Sequence, residues 1–597
     1  MFTRKKINEL SYCLKLPVRS AFFLYFAFLV FTLICAVAPS IELILWKYIL
    51  DGLEQTLHGT NFTQSFIFLI VIYFMAGISS KVAENVKSII ESKLKDKMQL
   101  YIDLEIMNKY NKLEAGFYDD PLNMDTLDVV KNSKMMICEG VLQLVEIIKT
   151  IVNFILMAIV LVSISPIVTF VYVLLLIPQV TSSTKLDTLL NMYDVEATKE
   201  KRKKDYYRSI LISKKYAKDL RVYRIRDFIL EKYNTEWQKI LKDKNDICTK
   251  TFSQIYRNEI LEVMGYLIMI VFVIYKAIYG AATIGDISVV VSATRPCSEA
   301  FKDFYVKYKN FRSVVVTRLK MYVDFINKTD RDEDGVISCS TINDIEFCNV
   351  YFKYPFGSEY ILEDISFKIN SGTKNAIVGK NGEGKSTIIK LLLRLYRPEK
   401  GNILINGINI EEYNIKSLRE RFSACFQDVS RYALTVEENI TFKERTLSPD
   451  KLNYLTTFSG IYDKIDSFEQ KYEAELTKEF SDKGEELSGG QWQMLAISRS
   501  LCKNADFLVF DEPSSALDAI TEDRIMELLS KLSKEKTILV ISHRLSCLQD
   551  YDQIIVLNNN KIEEIGNHKQ LMQKGGLYSK MYSLQKDKYV QEESELS

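Results

Sequence analysis

The sequence has only three histidines, and its ten cysteines form no CxxC pair. Histidine this scarce and cysteine this scattered argue against a structural zinc site and against a disulfide framework. Excess charge of one sign is also missing. Lys plus Arg number 78 against 77 Asp plus Glu, so no bulk positive field is available to hold nucleic acid by its phosphates, and nucleic acid is not an expected partner. With 47% hydrophobic and 26% charged residues, the composition is neither disordered nor fibrous. No small-residue cleavage site follows the basic start (Arg4, Lys5, Lys6, Lys15, Arg19), so the expectation is an uncleaved anchor rather than a signal peptide. The mean hydropathy of -0.03 resembles that of a soluble protein, but it averages two unlike halves.

In the first half, residues 20–41 and 61–80 carry no charged side chain, and each is long enough to cross a hydrocarbon core of roughly 30 Å as a helix. Residues 150–184 are also uncharged. At about 1.5 Å per residue that run is too long for one crossing, and the Ser163-Ile164-Ser165-Pro166 turn divides it in two. A fifth run spans about 255–279 and a sixth, weaker one about 284–310. The expected helices are near 20–48, 61–82, 141–163, 166–186, 255–279 and 284–310. Lys and Arg crowd the segments before 20, from 81 to 140 and from 185 to 255, which places both termini on the cytoplasmic side and extends the helices well into the cytoplasm. The sixth segment carries Arg295, Glu299, Lys302 and Asp303: either these line a wet pathway or the helix has left the bilayer. Glu42, Glu259 and Glu262 raise the same question. Asp330, Asp332, Asp334 and Gly335 imitate the start of a calcium loop, but its twelfth position would be Thr341 instead of Glu, so calcium is not expected. Asn61-Phe62-Thr63 matches a glycosylation acceptor, a pattern short enough to arise by chance.

From about residue 342, short β-type runs alternate with helical ones, as in a parallel sheet flanked by helices. The string Gly379, Lys380, Asn381, Gly382, Glu383, Gly384, Lys385, Ser386, Thr387 follows an apolar strand (375–378) and opens a helix expected over 388–395. That is the context of a phosphate loop. Glycines let successive N–H groups face the phosphates, Lys385 reaches the β and γ phosphates, and the Ser386 hydroxyl binds Mg2+. Residues 507–510 form an apolar strand ending in Asp511 and Glu512: the first carboxylate is expected to hold Mg2+, the second to orient and deprotonate the attacking water. Between them stands Leu487, Ser488, Gly489, Gly490, Gln491 at a helix start, a second anion-binding pattern.

With these motifs assembled, the chain resembles an ATP-binding cassette (ABC) transporter of the exporter type, a half-transporter with membrane and nucleotide domains fused. The resemblance implies an all-α six-helix transmembrane domain with long cytoplasmic extensions (residues 1–327), a linker (328–341), an α/β P-loop ATPase domain (342–585) and a charged tail (586–597). It implies that the 487–491 segment closes on ATP held by a second subunit, either an identical chain or a related half-transporter. It further assigns Tyr354 to adenine stacking, Gln427 to sensing Mg2+ and the attacking water, Asp518 to communication across the dimer, and His543 to the γ phosphate. His58 and His568 match nothing catalytic.

Residues 117–128, 427–440 and 487–493 resemble the forms seen in bacterial exporters of lantibiotics and related modified peptides. The implied function is ATP-driven export of a peptide across a bacterial cytoplasmic membrane by alternating access. The alternatives are a multidrug or lipid-flipping exporter and, further off, a nucleotide-gated channel or a soluble ATPase of the same superfamily. Segments 118–125 and 220–227 are the expected contacts with the nucleotide domain.

Overall fold

The computed structural model describes residues 9–57, 64–328, 335–355, 357–442, 447–513, 525, 529, 532 and 536–596. His58, Asn61, the Asp330, Asp332 and Asp334 triplet and Asp518 lie outside the described residues. The chain divides into two compact units, residues 1–109 with 126–328 and residues 110–125 with 329–597.

The first unit is helical: α1 (Glu9–Leu57), α2 (Gln64–Tyr110), α3 (Pro121–Ile164), α4 (Pro166–Glu196), α5 (Thr198–Ile212), α6 (Ala217–Val222), α7 (Arg226–Ile278), α8 (Ile284–Asn310) and α9 (Val316–Asn327). Four described stretches are long and apolar enough to cross a membrane, Ser11–Gln55, Phe66–Tyr110, Thr126–Ile164 and Arg226–Ile278, with a shorter apolar helix at Pro166–Pro178. The break between α3 and α4 falls at Ser165, as the proline requires. Helix α1 departs from helical geometry at Ala21 (φ −164°, ψ 75°), where its apolar run begins. The long helices reach well beyond the apolar runs that announce them, because their polar continuations carry no hydropathy signal.

Met157, Leu161, Tyr172, Leu176, Met269, Val273, Val289, Val290, Ala293 and Cys297 form the buried core that joins α3, α4, α7 and α8. Helix α8 begins with a Thr283–Asp286 capping box, and the Gly285 N–H donates to Asp51 at 3.1 Å. A Cβ at Gly285 would lie 2.3 Å from that carboxylate, so only glycine permits the approach of α1.

In the second unit, β1 (Asp344–Phe352), β2 (Leu362–Asn370), β4 (Lys400–Ile405) and β5 (Ile408–Asn409) form an antiparallel sheet in the order β2-β1-β4-β5. The main sheet has the order β10-β9-β3-β8-β7-β6, from β3 (Lys374–Gly379), β6 (Phe422–Cys425), β7 (Phe507–Asp511), β8 (Thr537–Ile541), β9 (Gln553–Asn558) and β10 (Lys561–Gly566). Strands β6 to β9 and β3 run parallel, and β10 is antiparallel to β9. Strands β3, β7 and β8 are buried along nearly their whole length, which is why they read as continuous apolar runs. Helices α10 (Lys385–Leu392), α11 (Ile415–Glu420), α12 (Val436–Thr441), α13 (Pro449–Ser459), α14 (Tyr462–Asp466) and α15 (Gly489–Cys502) complete the described helices before residue 503. Residues 586–596, expected as a charged tail, continue a helix that starts at Leu577.

Candidate nucleotide site

Open parallel sheets present ligands at the carboxyl ends of their strands, and the chemistry-bearing residues of this unit gather there. Strand β3 ends at Gly379 (φ +157°), where a Cβ would meet the Leu557 carbonyl at 2.6 Å. The loop turns through Gly382 and Gly384, the latter left-handed at φ +84° and capping α10. That glycine starts the helix at Lys385, three residues earlier than the sequence pattern predicts, so the N-terminal amides of α10 belong to the phosphate loop itself. Lys385 is buried. Its ammonium donates to the carbonyls of Gly379 (3.0 Å) and Lys380 (2.8 Å). Burial holds its pKa below the ordinary lysine value, opposed by the carboxylates of Glu512, Asp511 and Glu383. Glu383 accepts from the Asn560 N–H at 3.0 Å, pinning the loop to the β9–β10 turn.

Asp511 closes β7 and is 5% exposed. One oxygen, Oδ1, is buried without a protein partner, and the Ser386 hydroxyl neighbours the carboxyl group. Burial pushes this carboxyl above the usual aspartate value and the neighbouring Glu512 adds to the shift; Ser386 and Lys385 oppose it. An orphaned carboxylate oxygen beside a hydroxyl, all hard oxygen donors, fits Mg2+, which takes one or two carboxylates plus phosphate oxygens and water. Among the described residues no group of three or more His, Cys, Asp and Glu is placed to hold a metal ion.

Glu512 holds the left-handed conformation (φ +48°), strain that ordinary residues adopt where the surroundings enforce it. Here its N–H donates to the Ile541 carbonyl at 3.1 Å and its own carbonyl accepts from Gln493 at 3.3 Å. The carboxylate is bracketed: Gln427 donates to Oε2 at 2.7 Å and His543 Nε2 lies 2.7 Å from Oε1. Three motifs from three strand ends, β6, β7 and β8, thus converge on one carboxylate. The structure sets the Gln427 amide on Glu512, not on Ser386 or Asp511.

Two positioning residues escaped sequence reasoning. Gln493 lies two residues beyond the signature, in Gln491-Trp492-Gln493, where nothing but the repeated glutamine hints at a role. Gln585, from the last helix, donates to the His543 carbonyl (2.6 Å) and accepts from the Leu545 N–H (3.0 Å), fixing the loop that carries the histidine. His568 bonds Tyr578 at 2.9 Å and is structural.

Ser488 is the N-cap of α15, in a capping box with Gln491. Leu487 is buried, whereas Ser488 and Gly489 are exposed, so the helix opening is presented to solvent. Tyr354 is half-buried. Its hydroxyl lies 3.2 Å from Thr387, and Lys390 donates to it at 3.1 Å and sits 5.1 Å from its ring centroid.

Tyr354 also meets Tyr396 edge-on at 5.3 Å, and Tyr396 donates to Asp119 at 2.6 Å. Arg397 pairs with Glu114 at 3.4 Å, and a Cβ on Gly116 would touch Pro355. Residues 110–125 are therefore attached to the phosphate-loop helix through two tyrosines, a link no linear motif reveals. Tyr396→Phe is expected to weaken this attachment by about 0.5–1.5 kcal/mol. Hydrogen exchange should read the change as faster amide exchange over 110–125, and unaltered exchange there would refute the link. Residues 220–227 belong to the first unit, where the last residue of α6, Val222, is 75% exposed and Tyr223 beyond it 70%.

Residues 362–515 match the ABC transporter domain model. Over 393 residues the chain is 32% identical to the subtilin transport ATP-binding protein SpaT of Bacillus subtilis, covering 64% of this chain and 62% of that protein. It is 42% identical over 242 residues to the ATP-dependent lipid A-core flippase of Haemophilus ducreyi (40% of this chain, 41% of that one), and 33% identical over 316 residues to the mitochondrial iron-sulfur clusters transporter ABCB7 of Danio rerio (52% and 42%). Each match spans less than two thirds of the relative's length. A bacterial Atm1-family ABC exporter with ATP bound superposes with a TM-score of 0.73 at 22% identity, covering 95% of this chain and 98% of that one.

Proposed function

We propose that the chain is an exporter-type ABC half-transporter that couples ATP hydrolysis to export of a modified peptide. The observation that carries the reading is the Glu512 carboxylate, held between Gln427 and His543 beside Lys385, Ser386 and Asp511.

Lys385 and the amides of the phosphate loop hold the β and γ phosphates of ATP, and the ring of Tyr354 takes the adenine. Ser386 and Asp511 would hold Mg2+, with Gln427 as a further candidate, and the ion would neutralise charge on the phosphates. Glu512 orients a water in line with the γ phosphate and accepts its proton, while Gln427 and His543 keep the carboxylate aimed. The exposed Ser488 and Gly489 of a second subunit, identical or related, cover the same nucleotide, and Asp518 signals across that seam. ATP thereby favours the closed dimer, and hydrolysis releases it.

Residues 110–125 and 220–227 transmit closure to the helices, which sit in a bacterial cytoplasmic membrane with both termini inside. Support for 220–227 is its exposed Val222 and Tyr223.

The match to SpaT favours a peptide over a lipid. Its 393 residues reach further beyond residues 329–597 than the 308-residue match to the lipid A-core flippase of Haemophilus influenzae. The test is reconstitution into inverted vesicles supplied with ATP and the modified product of any precursor peptide encoded beside this gene. Uptake that needs ATP is expected; uptake of a labelled lipid or drug with no peptide uptake would reverse the assignment.

A further inference from the structure

The phosphate loop carries one charge of the wrong sign for its task. In the nine residues from Gly379 to Thr387, whose amides and lysine serve an anion, Glu383 is the single acidic side chain. Left free, such a carboxylate would turn to solvent, away from phosphate. Here it is held. Glu383 is half-buried, and its carboxylate accepts from the Asn560 N–H at 3.0 Å. Asn560 is itself fastened on two sides: its side-chain amide donates to the Tyr360 carbonyl at 3.0 Å, and its own carbonyl accepts from the Glu363 N–H at 2.8 Å. Asn559 (φ +49°) and Asn560 (φ +64°) are both left-handed, the geometry of a tight β9–β10 turn.

The next residue restrains the loop from the other side. Gly384 caps α10, and a Cβ there would meet the Ile361 carbonyl at 2.8 Å, so the loop lies flush against residues 360–363. The turn that holds Glu383 is tied to the same segment, so the carboxylate is fixed one residue before the cap of the phosphate-binding helix. It is near enough to Lys385 to raise that ammonium's pKa against the effect of burial. Asp511 and Glu512 act on Lys385 too, but the roles assigned above use their charges, on Mg2+ and on the attacking water. The charge of Glu383 has no such use: its partner is a neutral amide, and among the described residues it closes no ion pair. Its field therefore falls on the phosphate cradle without a cation of its own.

We propose that Glu383 sets nucleotide affinity: anchored by Asn560, its carboxylate repels the phosphates that the rest of the loop attracts. The repulsion weakens ATP binding about three- to tenfold, the range for unit charges close together near a protein surface, and hastens nucleotide release. ATP carries one phosphate more than ADP and is weakened the more. This inference rests on the ATPase reading above and assigns to its phosphate loop a built-in limit on affinity.

The test uses the full chain in nanodiscs of phosphatidylglycerol and phosphatidylethanolamine. ATP and ADP compete there against a fluorescent trinitrophenyl-ADP, in EDTA so that no turnover occurs. Glu383→Gln keeps an acceptor for the Asn560 N–H and removes only the charge. It should lower the Kd of ATP about three- to tenfold at low salt and that of ADP by less. Both gains should largely vanish in about 1 M salt, where screening shortens to about 3 Å. Glu383→Ser removes the charge and the anchor together, so it should also tighten ATP binding, by less than Glu383→Gln does. ATP binding that neither variant tightens overturns the proposal, and so does a gain that persists undiminished in high salt, which would come from loop shape instead of charge. A larger gain in Glu383→Ser than in Glu383→Gln overturns the anchoring by Asn560. Failure of the natural chain to bind either nucleotide at several millimolar would sink the ATPase reading instead.

Discussion

Glu512→Gln should lower ATP hydrolysis by about 10² to 10⁴-fold while leaving nucleotide binding intact. The amide has the shape of the carboxylate it replaces, so the Gln427 N–H can still donate to the oxygen at position 512, and the Ile541 and Gln493 contacts that enforce the left-handed backbone involve main-chain atoms. What disappears is the proton acceptor. ATP bound without turnover keeps favouring the closed pair, so a stable dimer should accumulate in ATP and be absent in ADP, as read by size-exclusion chromatography with light scattering. Phosphate release at the natural rate would remove Glu512 from its assigned role.

Lys385→Ala should weaken ATP binding about 10- to 150-fold, the worth of one or two charge-assisted hydrogen bonds to phosphate. The same substitution should barely move the melting temperature without nucleotide. Two effects oppose each other there: the burial cost of the ammonium vanishes, and so do its bonds to the Gly379 and Lys380 carbonyls. The rise in melting temperature that ATP gives the natural chain should shrink to about half or less at concentrations that saturate it. An undiminished rise would mean the phosphates are held elsewhere.

Both effects concern residues legible in the sequence, for a shared reason. Phosphate binding demands glycines, a lysine and a hydroxyl within nine consecutive positions, so local spacing records the chemistry directly. Less was legible where function depends on convergence. Gln427, Glu512 and His543 each announce themselves at a strand end, yet that the glutamine and the histidine grip the two oxygens of one carboxylate follows from the order of β6, β7 and β8 in the sheet. Gln493 and Gln585 gave no usable signal, since their work is to hold backbone and loop in place, and any polar residue on the right face would read the same. The link from Asp119 through Tyr396 to Tyr354 joins residues 277 positions apart in its first step.

The membrane half divides the same way. Apolar runs located the four long stretches able to cross a membrane, because hydrocarbon excludes charge, while the expected run at 284–310 is not among them; Pro166 located the turn between α3 and α4 because proline cannot extend the hydrogen-bond ladder. Sequence could not say which way the charges of α8 point, since Arg295, Glu299, Lys302 and Asp303 lie together along the chain. Packing decided it: the small and apolar side of α8 is spent on α4 and α7, Lys302 turns to Glu262, and the remaining three are left on the open side. Sequence determined which chemistry the chain carries, because motifs are local. Tertiary structure alone decided which groups meet, because burial and strand order act between residues far apart along the chain.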